Sequence, residues 1–402
     1  TPAEFDRHPF ELTVQNGILD LRTGRLRPAI PADRVSKLAA VTFDPDALAP
    51  TWDAFLARVQ PDPEVRNLLQ RAAGMAITGD VGEEKFFLLF GTGANGKSVF
   101  CEVLEALMSD FAGSFGAALI TKNKHENEAV RMMARLPGLR LAFVNETAPG
   151  DVFDSTRVKE LSSRDRISAR FLHKETFDFA PTHTLIIRTN HLLGSHDAGD
   201  GFWRRAVPIT FEVQIPPKDR ISDLAPRIIR EEMSGVLNWV LAGTMEWKQG
   251  NGLRLPAVIE ASRNEYRTDT DRSGRWLEER TVPDAGAKVL VSACYQDHKA
   301  FCEELGTNAP TEMVFSRTMT ARGINRDRSR ANGRRFMGFR LESPEDSFED
   351  FPRGPRPYRV ISRASVHCEV GRIGTLKVRF SYSPRKIDFS RKGHENRPDT
   401  SQ

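Results

Sequence analysis

Apolar residues follow three successive patterns along the chain. In residues 1–50 they come in short runs broken by turn pairs: Glu11-Leu12-Thr13-Val14, Asn16-Gly17, Ile18-Leu19-Asp20-Leu21 and Thr23-Gly24. That pattern predicts short β-hairpins. Over 51–79, Trp52, Phe55, Leu56, Val59, Leu68, Leu69, Ala72 and Ala73 recur at helical spacing. From 82 to 212, apolar runs at 85–91, 139–145 and 184–190 each end in a polar residue. These runs read as buried strands alternating with helices, an α/β fold with a mainly parallel sheet. Residues 220–265 read as helical and 270–343 as a small α/β domain. After Pro344, Ser, Pro, Arg and Asp dominate, with one strand-like pattern near 374–382.

Composition narrows the class. The 402 residues are 39% hydrophobic and 28% charged, enough for two or three domains with real cores. No apolar run is long enough to span a bilayer, so no membrane partner is expected. Four cysteines do not suggest a disulfide framework, which points to a reducing cytoplasm, in a bacterial cell or phage-infected host. The start, Thr-Pro-Ala-Glu, has neither an initiator Met nor an apolar leader and reads as a piece of something longer. A net charge of +4 says little about partners.

The chemistry begins where the first strand ends. Gly91-Thr92-Gly93-Ala94-Asn95-Gly96-Lys97-Ser98 fits G-x-x-x-x-G-K-S between an apolar strand and an apolar-periodic helix (about Lys97 to Met108). Such a loop turns backbone N–H groups inward around phosphate oxygens, and the helix N-terminus adds its dipole. Lys97 suits the β/γ-phosphates and the Ser98 hydroxyl suits Mg²⁺, so ATP with Mg²⁺ is the expected ligand. The second strand delivers Asn145 and Glu146. Glu146 stands where a water-orienting, metal-linked carboxylate belongs, and Asn145 where many such enzymes carry Asp. The third strand ends in Asn190, placed to touch γ-phosphate and water, although strand-end Asn residues are also ordinary turn formers. Arg204 and Arg205 suit an arginine finger, or simply a surface pair. Between the strands, residues 159–174 set five Lys and Arg side chains beside Phe171 and His173. That segment fits a hairpin tracking a nucleic-acid backbone, or a solvated charged loop.

In order along the chain come the glycine loop, Val144-Asn145-Glu146-Thr147, the Lys159-to-Arg170 segment, Thr189-Asn190-His191 and Asp200-Gly201-Phe202-Trp203-Arg204-Arg205. This order resembles superfamily 3 helicases, in particular phage and plasmid primase-helicases related to the poxvirus uncoating NTPase. Residues 16–24 and 69–74 resemble the domain preceding the helicase there. The resemblance implies an AAA+ core at 76–265, an N-terminal α+β domain at 1–75, a winged-helix-like domain at 266–343 and a poorly specified tail at 344–402. It implies a hexameric ring moving on single-stranded or forked DNA, with an upstream primase domain not included. By it, Lys97 and Ser98 bind nucleotide and Mg²⁺, Glu146 is the catalytic acid and also faces Mg²⁺, Asn190 is the sensor, and Arg204 or Arg205 is a finger acting across subunits. Lys159, Arg170, His173 and Lys174 would face DNA. Ser163 and Arg164 stand where the family usually has two glycines, so that turn is expected to differ.

Residues 317–340 hold eight arginines against one acid, Asp327. A helix at about 310–322 and a hairpin turning at Asn332-Gly333 suggest a basic wing, with Arg328, Arg330, Arg334 and Arg335 toward DNA phosphates. Cys294, His298 and Cys302 fall on one helix face, but three ligands without a fourth favour ordinary packing over metal. Two other readings stay open: an ATP-switched DNA-binding assembly factor without unwinding, and an ATPase whose polymer is RNA.

Overall fold

The computed structural model describes residues 5–6, 8–122, 126–145, 147–148, 151–171, 174–195, 199–305, 309–327 and 333–342. The pattern near 374–382 and the whole tail lie outside these residues.

The chain opens with an antiparallel meander, β1 (Glu11–Val14), β2 (Gly17–Asp20) and β3 (Arg25–Arg27). Gly17 is required there by close approach, because a Cβ would sit 2.3 Å from the Arg27 carbonyl oxygen. Two helices follow, α1 (Pro50–Val59) and α2 (Pro63–Ala76), each with proline in its first turn, where no N–H is needed. The cap of α1 comes from far away in sequence: the Glu232 carboxylate accepts from the Thr51 and Trp52 N–H groups at 3.0 Å.

The central layer runs β4 (Phe86–Phe90), α3 (Lys97–Met108), β5 (Ala112–Gly116), α4 (Glu126–Met133), β6 (Leu141–Asn145) and α5 (Ser155–Leu161). A hairpin, β7 (Ile167–Arg170) and β8 (Thr176–Phe179), precedes β9 (Thr184–Thr189), α6 (Asp200–Trp203) and β10 (Ala206–Thr210). Strands β10-β4-β9-β6-β5 form one five-stranded sheet, and every pair is parallel. Helices α7 (Leu224–Glu231), α8 (Met233–Gln249) and α9 (Ala257–Thr270) follow. The last described elements are α10 (Arg272–Arg280), β11 (Thr281–Leu290), α11 (Val291–Glu304), α12 (Glu312–Ala321) and β12 (Arg335–Leu341), with β11 and β12 antiparallel.

Alternation along the parallel strands divides the core. Phe87, Leu89, Phe143 and Ile186 point to one face, where they pack with residues of α1, α2, α3, α8 and the N-terminal meander. Phe86, Leu88, Val144 and Ile187 point to the other, against Phe153, Phe202, Trp203 and Tyr266. Trp276, Phe315, Phe336 and Phe339 build a separate small core for α10 to β12. Arg140 ties the meander to the sheet: its buried guanidinium donates to the Ile77 carbonyl at 2.6 Å and the Glu11 carbonyl at 2.5 Å and lies over Phe111. Burial pulls its pKa down to about 10.

Candidate nucleotide site and nucleic-acid hairpin

The glycine loop joins the C-terminal end of β4 to the first turn of α3. Gly91, Gly93 and Gly96 do different work. A Cβ on Gly91 would collide with Asn95 Nδ2 at 2.2 Å and the Phe211 carbonyl oxygen at 2.4 Å. Gly93 and Gly96 hold φ of +102° and +89°, and beneath Gly96 the Val59 and Phe55 side chains of α1 leave no room for a methyl. The loop is braced by the segment after β10. Asn95 donates to the Phe211 carbonyl at 3.0 Å, Gln214 to the Thr92 hydroxyl at 2.9 Å, and the Ile215 N–H to the Ala94 carbonyl at 2.8 Å.

Lys97 is buried, its ammonium donating to the Gly91 carbonyl at 2.6 Å and Asn95 Oδ1 at 3.0 Å. Burial, reinforced by the Arg188 charge, lowers its pKa to about 8. A cleft of about 750 Å³ opens beside the loop. It brings together Gly93 to Ser98, Thr147, Arg188, Thr189 and Asn190, with Thr51, Phe55 and Arg58 of α1 and Asp219 to Ser222 as its far wall. The Thr147 hydroxyl donates to Thr189 Oγ1 at 2.6 Å, which ties the ends of β6 and β9 together. Asn145 donates to the Ser114 hydroxyl at 3.4 Å, while its buried Oδ1 has no partner among the described residues.

These residues fit a nucleoside triphosphate. The cradle is shaped by glycines, a lysine and a helix N-terminus point at it, and the cleft is large enough for a nucleotide. The exposed Ser98 hydroxyl and the orphaned Asn145 oxygen are suited to a hydrated divalent cation. Glu146 lies outside the described residues.

Arg204 and Arg205 lie elsewhere. They immediately precede β10, at the N-terminal end of the parallel sheet, and the Arg205 carbonyl accepts from the Phe86 N–H at the start of β4. Both guanidinium groups reach Glu84, at 2.8 and 3.1 Å. The Arg204 side chain is 59% exposed, whereas that of Arg205 is 10% exposed and also donates to the Gly201 carbonyl.

The basic segment at 159–174 is not one hairpin. Lys159 sits on α5, where buried Val158 and Leu161 and the Asp154 cap impose a helix. The hairpin proper pairs Ile167 with Phe179 through to Arg170 with Thr176. Arg170, Phe171 and Lys174 are exposed toward its tip, the Lys174 N–H closing a turn on the Phe171 carbonyl, and the Phe171 ring lies against Phe177 at 5.6 Å. His173 lies outside the described residues. The turn before β7 is closed by serine: the Ser163 hydroxyl accepts from the Asp165 N–H.

The arginines at 317–340 do not form a single outward face. Arg322 pairs with Asp271, and Arg326 donates to the Ser316 carbonyl and hydroxyl at 2.7 Å, so both fasten α12 to its surroundings. Arg334 is exposed and Arg335 half-buried; Arg328, Arg330 and Asn332 lie outside the described residues. The Asp327 and Met337 N–H groups donate to the Arg335 and Asn325 carbonyls, so the segment does turn back on itself. Cys294, His298 and Cys302 are buried, and the His298 ring packs at 4.6 Å from Phe315.

Residues 1–61 match the family described as "D5 N terminal like", and residues 89–205 match a family of unknown function, DUF5906. A protein of Acanthamoeba polyphaga mimivirus named "Putative helicase" is 26% identical over 66% of this chain and 30% of its own. An African swine fever virus protein named "Putative primase" is 23% identical over 71% of this chain and 32% of its own. The solved apo C-terminal region of NrS-1 superposes with a TM-score of 0.42 at 11% identity, over 74% of this chain and 77% of that one. The matched N-terminal domain and these relatives support kinship with the primase-helicases of phages and large DNA viruses. It spans about a third of the length of the viral relatives it matches. Among the described residues, no helix is long and apolar enough to cross a membrane.

Proposed function

We propose that this chain is the motor portion of a primase-helicase: an AAA+ ATPase of superfamily 3 that unwinds DNA as a hexameric ring on single-stranded DNA. One observation carries the reading. The glycine loop, Lys97, Thr147 and Asn190 converge on one cleft at the C-terminal ends of adjacent parallel strands, where open α/β sheets bind ligands. Lys97 leaves its loop carbonyl for the β/γ-phosphates of ATP. Ser98 holds Mg²⁺, which would draw charge off the phosphate oxygens. Asn190 touches the γ-phosphate and Glu146 orients the attacking water.

Arg204 suits the finger role better than Arg205. It is largely exposed, at the opposite end of the sheet from its own loop, and would exchange its Glu84 contact for a neighbouring subunit's nucleotide. Arg170 and Lys174 place charge toward the hairpin tip, suited to DNA; His173 is proposed as a further DNA contact, and Arg328, Arg330, Arg334 and Arg335 as phosphate contacts outside the channel.

The test is direct. Lys97→Ala should abolish ATP hydrolysis and strand displacement on a forked duplex, and Glu146→Gln should bind ATP yet hydrolyse it poorly. Wild-type protein that hydrolyses ATP without displacing strand would favour the assembly-factor reading instead.

A further inference from the structure

We propose that Arg188 is a nucleotide-binding residue of this chain, a cation within the same subunit that contacts the terminal phosphate and sets the preference for ATP over ADP. This rests on the nucleotide reading above. It starts from strand geometry. On β9, Ile186 packs in the α3-side core and Ile187 in the opposite one. Alternation therefore sends Arg188 to the α3 side, one step nearer the C-terminal end of the strand. In register it lies beside Leu89 of β4, and β6 flanks it with Asn145, the residue after the Val144–Ile187 pair. It is half-buried and lines the same cleft as Lys97, Ser98 and Asn190.

Its electrostatic setting points to an anion. Among the described residues no carboxylate pairs with Arg188, and its charge bears on another cation, Lys97. Two half-shielded positive charges side by side repel, and a polyanion between them removes that cost. Asn145 contributes only a neutral amide where a carboxylate would draw in a metal ion. The site thus sets a guanidinium beside an amide on the neighbouring strand. Lys97 serves the β/γ-phosphates once it leaves its loop carbonyl, and Arg188 supplies a second cation for the charge that a third phosphate adds. A planar guanidinium also gives a two-pronged contact with phosphate oxygens.

The test is titration of N-methylanthraniloyl ATP and ADP, with Mg²⁺ and again in EDTA, on wild type, Arg188→Met, Arg188→Lys and Lys97→Ala. Arg188→Met should weaken ATP binding roughly 10- to 100-fold, the worth of one charge-assisted contact, and ADP binding by no more than about threefold. Wild type should keep its ATP preference in EDTA, the Met variant should lose it, and Arg188→Lys should recover part of it. Arg188→Gln, neutral but polar, carries the same comparison if the Met variant melts early. If the neutral variants keep the wild-type ATP-to-ADP ratio while Lys97→Ala loses both nucleotides, the Arg188 assignment is wrong and the nucleotide reading stands. If Lys97→Ala binds both nucleotides normally, the nucleotide reading itself falls.

Discussion

The two ends of the central sheet both carry basic residues and treat them in opposite ways. At the C-terminal end, Lys97 hydrogen-bonds only neutral oxygens and Arg188 has no carboxylate among the described residues. At the N-terminal end, Arg204 and Arg205 converge on Glu84, about 120 positions away in sequence. One end is left with uncompensated positive charge facing a cleft, and the other has its charge closed internally. Residue type alone does not separate these roles. What separates them is whether the fold brings a carboxylate within reach, because half-buried charge is tolerable only when paired or when a ligand completes it.

The sharpest way to break this comparison is to cut the internally closed pair. Arg205→Ala removes the buried partner and leaves Glu84, which is 20% exposed, paired only with the largely exposed Arg204. It should lower unfolding stability by about 2–3 kcal/mol. Arg204→Ala, at a largely exposed position, should cost no more than about 1 kcal/mol. Urea melts of the two variants decide, and equal losses would remove the distinction drawn here. If Arg204 is also the finger, its Ala variant should lose hydrolysis while still binding ATP, and mixing it with Lys97→Ala subunits should restore some activity. Subunits shown to mix without any rescue would point to a site complete in one chain.

The same end of the sheet buries a titratable ring with no counter-charge. His183, just before β9, is buried beside the Leu161 backbone with no side-chain hydrogen-bond partner among the described residues, and burial pushes its pKa from 6.5 down to about 4. The folded state therefore holds the ring neutral over a range where the unfolded chain takes up a proton. That contribution is fully present above pH 6.5 and is lost as pH falls toward 4, amounting to about 2–3 kcal/mol near pH 4.5. His183→Leu should flatten the loss of stability between pH 6.5 and 4.5 relative to wild type. His298, also lowered to about 4 by burial, supplies a residual slope in both proteins. A variant whose pH dependence matches wild type would mean that the ring is not buried neutral.

Much of this arrangement is legible locally. The runs at 85–91, 139–145 and 184–190 become β4, β6 and β9 because a strand buried on both faces is apolar throughout. The edge strands escape that reading. Ala112-Gly113-Ser114-Phe115-Gly116 has one large apolar residue, and β10 contains Pro208, which an edge strand tolerates. The glycine loop is readable because its geometry is a property of eight consecutive residues. The α1 wall of the cleft and the closeness of Arg188 to Lys97 are not, because tertiary packing alone makes them neighbours. The basic run at 159–174 misleads in the other direction. Charge does not mark where α5 ends and β7 begins; the apolar periodicity of Val158 and Leu161 does.

The hairpin provides the mildest test, because its cations are paid for by water. Lys174 is exposed at the tip, so its charge carries no folding cost and Lys174→Ala should shift stability by less than about 0.5 kcal/mol. A DNA phosphate is then the only partner whose loss the substitution should register. Removing one phosphate contact should reduce the slope of log binding constant against log salt by about 0.7 on single-stranded DNA. The variant should also lose stimulation of ATPase by that DNA, because a contact remade in each cycle couples hydrolysis to movement. Arg334→Ala, if it contacts DNA outside the channel, should flatten the salt slope by a similar amount and leave the stimulation in place. The measurement is fluorescence anisotropy on labelled single strands at several salt concentrations, paired with ATPase assays on the same preparations. A Lys174→Ala protein with unchanged salt slope and unchanged stimulation would return β7–β8 to the status of a solvated charged loop, and leave the cleft as the one end of this sheet where unpaired charge awaits a ligand.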